Sequence, residues 1–147
     1  MLKEKIQQDV KDALKSGDSK KRMVLGMVLS SIKNKEIEKR DELSDDDVVA
    51  VISSEIKKRK DAMEQFEKGG RPELAEGEKK EAEMLMAYMP EQMSEDQVRA
   101  EIKKAVAETG IKEIKEMGKL IGAVMAKVKG KADGQVVSRL VKEELSK

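Results

Sequence analysis

The sequence predicts an all-α protein built as two helical bundles, and three observations carry that expectation. Charged residues make up 41% of the chain and aromatic residues only 1%, and the Glu, Lys, Ala, Leu and Met that dominate lose little side-chain freedom in a helix. Apolar residues recur at three- and four-residue spacing, and no stretch shows the alternation of a strand. Breaks fall at Ser16-Gly17, Gly69-Gly70-Arg71-Pro72, Met89-Pro90 and Thr109-Gly110, residue types that stop helices by backbone geometry.

The first helix runs from Leu2 to Lys15, with Leu2, Ile6, Val10 and Ala13/Leu14 on one face. Asp18 caps a second, in which Met23, Val24, Met27, Val28, Ser31 and Ile32 form a broad face; the run MVLGMVL is apolar almost all round and predicts a central helix. Ser44 followed by three aspartates opens a third helix, Asp45 to Lys68, because its hydroxyl accepts a free N–H and the acids suit the positive end of the dipole. Val48, Val51/Ile52, Glu55/Ile56, Met63 and Phe66 fall in register along it. A fourth helix covers Glu73 to about Tyr88. These four make an N-terminal bundle, residues 1–93, with a hinge near Pro90 and a linker at Pro90-Glu91-Gln92-Met93. Residues 94–147 form a smaller bundle of three. Ser94 and Gln97 make a capping box for a helix to Glu108, a short helix spans about Met117 to Lys129, and the last runs from Gly134 to Leu145.

Composition excludes several functions. The chain has no Cys and no His, so disulfides, zinc sites of Cys and His, thiol nucleophiles and imidazole bases are absent. With one Phe and one Tyr, a base-stacking platform for single strands is not expected. No phosphate-binding loop G-x-x-x-x-G-K-[ST] and no G-x-G-x-x-G occurs. No run approaches eighteen apolar residues and no apolar leader core is visible, so the expectation is a cytoplasmic protein with no membrane span and no cofactor. Net charge is +1 overall, yet Lys112 to Lys131 holds six lysines against two glutamates, a local basic stripe suited to a phosphate-bearing partner.

That stripe ends in KVKGKADG, Lys127 to Gly134. A tight corner between two helices explains most of it. Lys127 and Lys129 suit the carbonyl end of a helix, Gly130 takes the left-handed position beyond it, and Asp133 caps the next helix. Lys131 is left over, and a lysine-rich corner at which glycine permits close approach also suits a sugar–phosphate backbone. Gly118 and Gly122, in GKLIG, have the spacing of close helix packing against a neighbour. Lys57-Lys58-Arg59-Lys60 reads as a solvated helix face, since Asp61, Glu64 and Glu67 lie within a turn or two. The ten methionines read as gap-filling core.

Two long stretches resemble a known family. MGKLIGAVMAKVKGKADGQVVSRLVKEEL, Met117 to Leu145, resembles the C-terminal helical module of the GatB/YqeY family, and EIKKRKDAMEQFEKGGRPELAEGEKKEAEMLMAYMPEQMSE, Glu55 to Glu95, is similar to its free-standing YqeY-like members. The leucine usual before the proline is Met89 here, a volume-conserving change. The resemblance implies an all-α protein of two bundles. It also implies kinship with the tail of GatB, the tRNA-binding appendage of the glutamine-dependent amidotransferase that corrects misacylated tRNA. By that tail's role, Lys127, Lys129 and Lys131 take phosphate contacts, Gly130 shapes the corner, Gly118 and Gly122 set helix packing, and Lys119 extends the same face.

Three functions follow as expectations. The first is a translation accessory that binds tRNA or another structured RNA through the basic corner, without catalysis of its own. The second is a protein-interaction module that docks on a translation factor. The third, a carbon–nitrogen ligase with glutamine as amido-N-donor, requires a nucleophile and an ATP site that the sequence does not display.

Overall fold

The computed structural model describes residues 1–147 and is all-α, with seven α-helices, one short 3-10 turn and no strand. The chain forms two compact units, Met1–Met89 and Pro90–Lys147. No helix is long and apolar enough to cross a membrane.

The N-terminal unit holds α1 (Leu2–Ser16), α2 (Ser19–Lys39), α3 (Asp45–Lys68) and α4 (Pro72–Met86). Its start signals work as the residue chemistry demands. The Asp18 carboxylate accepts the Lys21 N–H at 3.1 Å and the Ser44 hydroxyl accepts the Asp47 N–H at 3.2 Å. Pro72 occupies the first turn of α4, where its missing N–H costs nothing. Ile6 of α1, Leu25 and Ile32 of α2, Ile52 of α3 and Leu85 of α4 are fully buried in one core, each worth about 1.5–3 kcal/mol of apolar burial. α2 touches each of the other three helices.

Three expectations are corrected here. Met23 and Met27 do not join the core face of α2; they are 55% and 49% exposed. The buried stripe is narrower than the apolar residues imply, because Val24, Leu25, Val28 and Ile32 already fill the angle α2 presents inward. The other methionines act at the margins of the cores and not at their centres: Met84, Met86 and Met89 pack, partly buried, against the first core and Met93, Met117 and Met125 against the second, while none is fully buried. Finally, Arg59 is not on a solvated face. It lies one turn beyond Glu55 on the inward stripe of α3, and both are buried while Lys57, Lys58 and Lys60 are exposed.

The C-terminal unit holds α5 (Glu95–Thr109), a 3-10 turn (Ile114–Glu116), α6 (Met117–Val128) and α7 (Gly134–Leu145). Ser94 and Gln97 form the capping box of α5, with the Gln97 N–H donating to the serine hydroxyl at 3.2 Å and the Gln97 side-chain oxygen accepting the Ser94 N–H at 2.8 Å. Ile102, Leu120, Val124, Val137 and Val141 are its buried centre.

Candidate nucleic-acid interface

The corner between α6 and α7 is built by backbone bonds before any charge is considered. The Lys129 N–H donates to the Met125 carbonyl at 3.1 Å and closes the last turn of α6; the Lys131 N–H then donates to the Val128 carbonyl at 2.7 Å. Gly130 is left-handed, with φ of 79°. Lys129 has φ of 24° as well, a region a side chain with a Cβ seldom adopts. Asp133 starts α7 by accepting the Gln135 N–H at 2.7 Å. The corner therefore turns through two positive-φ residues in succession, one of them a lysine.

A strap holds the corner from outside. The Gln92 side-chain amide donates to the Gly130 carbonyl at 2.9 Å and to the Pro90 carbonyl at 2.8 Å. The Met93 N–H donates to the Lys131 carbonyl at 2.8 Å, and the Met93 side chain packs against the core. Carbonyls of the turn beyond α6 are thus satisfied by a segment that reads, by sequence, as linker. Sequence alone points to neither Gln92 nor the partner of Lys127 as part of the site. The polar residues after Pro90 signal only a break, and the pairing across the bundle has no local signature.

The lysines divide. Lys127 donates to the Glu108 carboxylate of α5. Lys129 and Lys131 flank Gly130, are exposed and make no ion pair within 4.0 Å. Lys119 is exposed and unpaired too, but it stands at the other end of α6, about 15 Å away along the axis at 1.5 Å per residue. Lys115 is paired with Glu113 at 3.0 Å. The corner thus presents two free ammonium groups and a third engaged in an exposed pair, which contributes at most about 1 kcal/mol and is readily exchanged for a phosphate.

Gly118 and Gly122 are corrected. Both face solvent, and a Cβ added at either would meet nothing within 4 Å. They pack against no neighbour; the packing stripe of α6 is Leu120, Val124 and Val128. One turn apart on exposed helix, they leave bare backbone in the first half of α6, on either side of Lys119. No group of three or more carboxylates is arranged to hold a metal ion.

Comparison with known proteins covers nearly the whole chain. A family model described as Yqey-like protein matches residues 3–145. Altered inheritance of mitochondria protein 41 of Eremothecium gossypii is 34% identical over 85 residues, 57% of this chain and 46% of that protein. An uncharacterized protein of Schizosaccharomyces pombe is 35% identical over 89 residues, 60% of this chain and 72% of that protein. The Pyrenophora tritici-repentis protein of the same name as the first is 26% identical over 143 residues, 95% of this chain and 78% of its own. The chain spans about half the length of several of the curated relatives it matches. The expectation of a cytoplasmic protein does not stand: the first and third of these relatives are named mitochondrial proteins, and lack of an apolar leader core does not assign a compartment.

Proposed function

This chain belongs to the YqeY-like family, and from that premise we propose that it is a non-catalytic accessory protein that binds tRNA, or another structured RNA, through the α6–α7 corner. The observation that carries the reading is the pair of exposed, unpaired lysines on either side of Gly130. Each contacts one phosphate, and Lys127 adds a third contact when it exchanges Glu108 for the backbone. At Gly118 and Gly122 there is no side chain and open space around the backbone, which lets a sugar–phosphate strand approach α6 closely there. Recognition of this kind reads charge and shape rather than sequence. It needs no aromatic platform, which suits a chain with two rings.

Ligase chemistry has no support in the residues. With neither Cys nor His in the chain, a thiol or an imidazole-assisted nucleophile for freeing ammonia from glutamine is absent.

The test is equilibrium binding of unmodified tRNA to the parent and to a Lys127→Ala/Lys129→Ala/Lys131→Ala variant. The variant is expected to bind about tenfold to a hundredfold more weakly, at roughly 0.5–1 kcal/mol per lost phosphate contact. Equal affinity would remove the corner from the interface.

A further inference from the structure

Arg59 occupies a position on the inward stripe of α3 where an aliphatic residue would be expected, and its hydrogen bonds are unevenly met. Glu55 and Arg59 are each 6% exposed. Arg59 Nη1 donates to one Glu55 carboxylate oxygen at 2.9 Å and to the Glu55 carbonyl at 3.1 Å. The other Glu55 oxygen accepts the Ser31 hydroxyl at 3.2 Å and faces Lys58 Nζ at 3.5 Å. Glu55 is satisfied; Arg59 is not. Its Nη2 reaches only the Met27 sulfur, at 3.9 Å, and its Nε has no partner. Nε and Nη2 make the edge of the guanidinium that takes both oxygens of a carboxylate side by side.

What faces Nη2 is movable. Met27 is 49% exposed, and Met23, one turn before it, is 55% exposed. Beside them a Cβ at Gly26 would meet nothing within 4 Å. An unbranched thioether with three rotatable bonds swings aside at little cost. The charge environment selects the guest. Glu55 supplies one negative charge, Lys58 is the positive group beside it, and Glu78 of α4 is near enough to feel the charges of Arg59 and Lys20. Burial, with Glu81 adding to it, pushes the Glu78 carboxyl above its ordinary range, which disfavours the charged form that would pair with Arg59. Arg59 and Lys58 carry two positive charges against the single charge of Glu55, so one further carboxylate, planar like the Nε–Nη2 edge, balances the group.

We propose that Arg59 is a docking point for an acidic side chain of a partner protein: with Met27 displaced, the Nε–Nη2 edge receives an Asp or Glu carboxylate, and Met23 and Met27 lie against the apolar face of the helix that carries it. This site is in the N-terminal unit and is independent of the RNA-binding corner. It joins a specific charge-assisted contact to a soft apolar flank, the combination by which Met-rich faces hold amphipathic helices.

The experiment reads the Arg59 Nε–H resonance by proton–nitrogen NMR while the full chain is titrated with sodium acetate, against sodium chloride and sodium phosphate at equal ionic strength. The expected result is a saturable shift with acetate alone. Met27→Ala, a change at an exposed position, lowers the acetate midpoint about three- to tenfold by removing the cover. Absence of a shift in both proteins overturns the proposal. So does a shift produced equally by Glu78→Gln without acetate, which would make Glu78 the resident acceptor, and so does an equal response to phosphate.

Discussion

Glu55 and Glu78 both feel the Arg59 charge, yet they titrate in opposite directions. For Glu55, burial pushes the carboxyl up, but the Arg59 hydrogen bond, the Lys58 charge and the Ser31 hydroxyl together outweigh it and hold the group below its ordinary 4.5. A carboxylate depressed in the folded state contributes stability that is complete above the unfolded value and is lost as pH falls through the folded one. For Glu78 the shift is upward from 4.5, so its contribution is present below the unfolded value and is lost as pH rises through the folded one. Two variants separate them in urea unfolding. Glu55→Gln is expected to lower stability near neutral pH by about 3 kcal/mol, because it leaves a buried guanidinium unpaired, with the gap closing in acid. Glu78→Gln is expected to raise stability slightly near neutral pH and to match the parent below its unfolded value. Equal pH profiles for both variants would contradict the charge arrangement around Arg59. The sequence shows that Glu55 is in register with the core of α3, but not that Arg59 is its partner. Four consecutive basic residues read as a solvated face, and only the phase of the helix distinguishes the one that points inward.

At the scale of elements, start signals are legible because they are local. Ser44 with Asp47, Ser94 with Gln97, and Asp18 with Lys21 each bond to a backbone N–H three residues on, a fact of covalent reach that no distant contact alters. α3 and α7 accordingly begin and end at the expected residues. The width of a buried face is set by what packs against it, and here the sequence misleads. α2 is apolar at Met23 and Met27, but no neighbouring helix covers that side. The glycines of α6 show the same gap. A four-residue spacing of glycines leaves room for close approach without saying whether anything inside the fold uses it. With empty space around it, Gly122→Ala is expected to stabilise the protein by about 1 kcal/mol through helix propensity alone. If a strand of RNA rests there, the same variant binds tRNA more weakly. Thermal unfolding and a binding isotherm on one preparation check both halves, and a destabilised variant would show that the glycine packs internally after all.

For the whole molecule, each unit carries its own core, and the all-α class follows from composition and periodicity together. The corner is harder to read. Its turn, its glycine and its lysines are consecutive in the chain, whereas the Gln92 and Met93 strap comes from nearly forty residues earlier. That strap gives a measurable consequence. A fragment of residues 90–147 is expected to be more stable than one of residues 94–147 by about 2 kcal/mol, from the lost hydrogen bonds and the lost Met93 packing; equal stability would mean that the strap does not hold the corner. Fifty-eight residues are few for a self-sufficient core, so the comparison is sensitive.

The most direct measurement of the central claim is the salt dependence of tRNA binding, recorded for the parent and for Lys129→Ala/Lys131→Ala. A log–log slope of about −2 to −3 is expected for the parent, shallower by about two in the variant, since each lysine that meets a phosphate releases its counterion. An unchanged slope in the variant, or parent binding that is indifferent to salt, would contradict it.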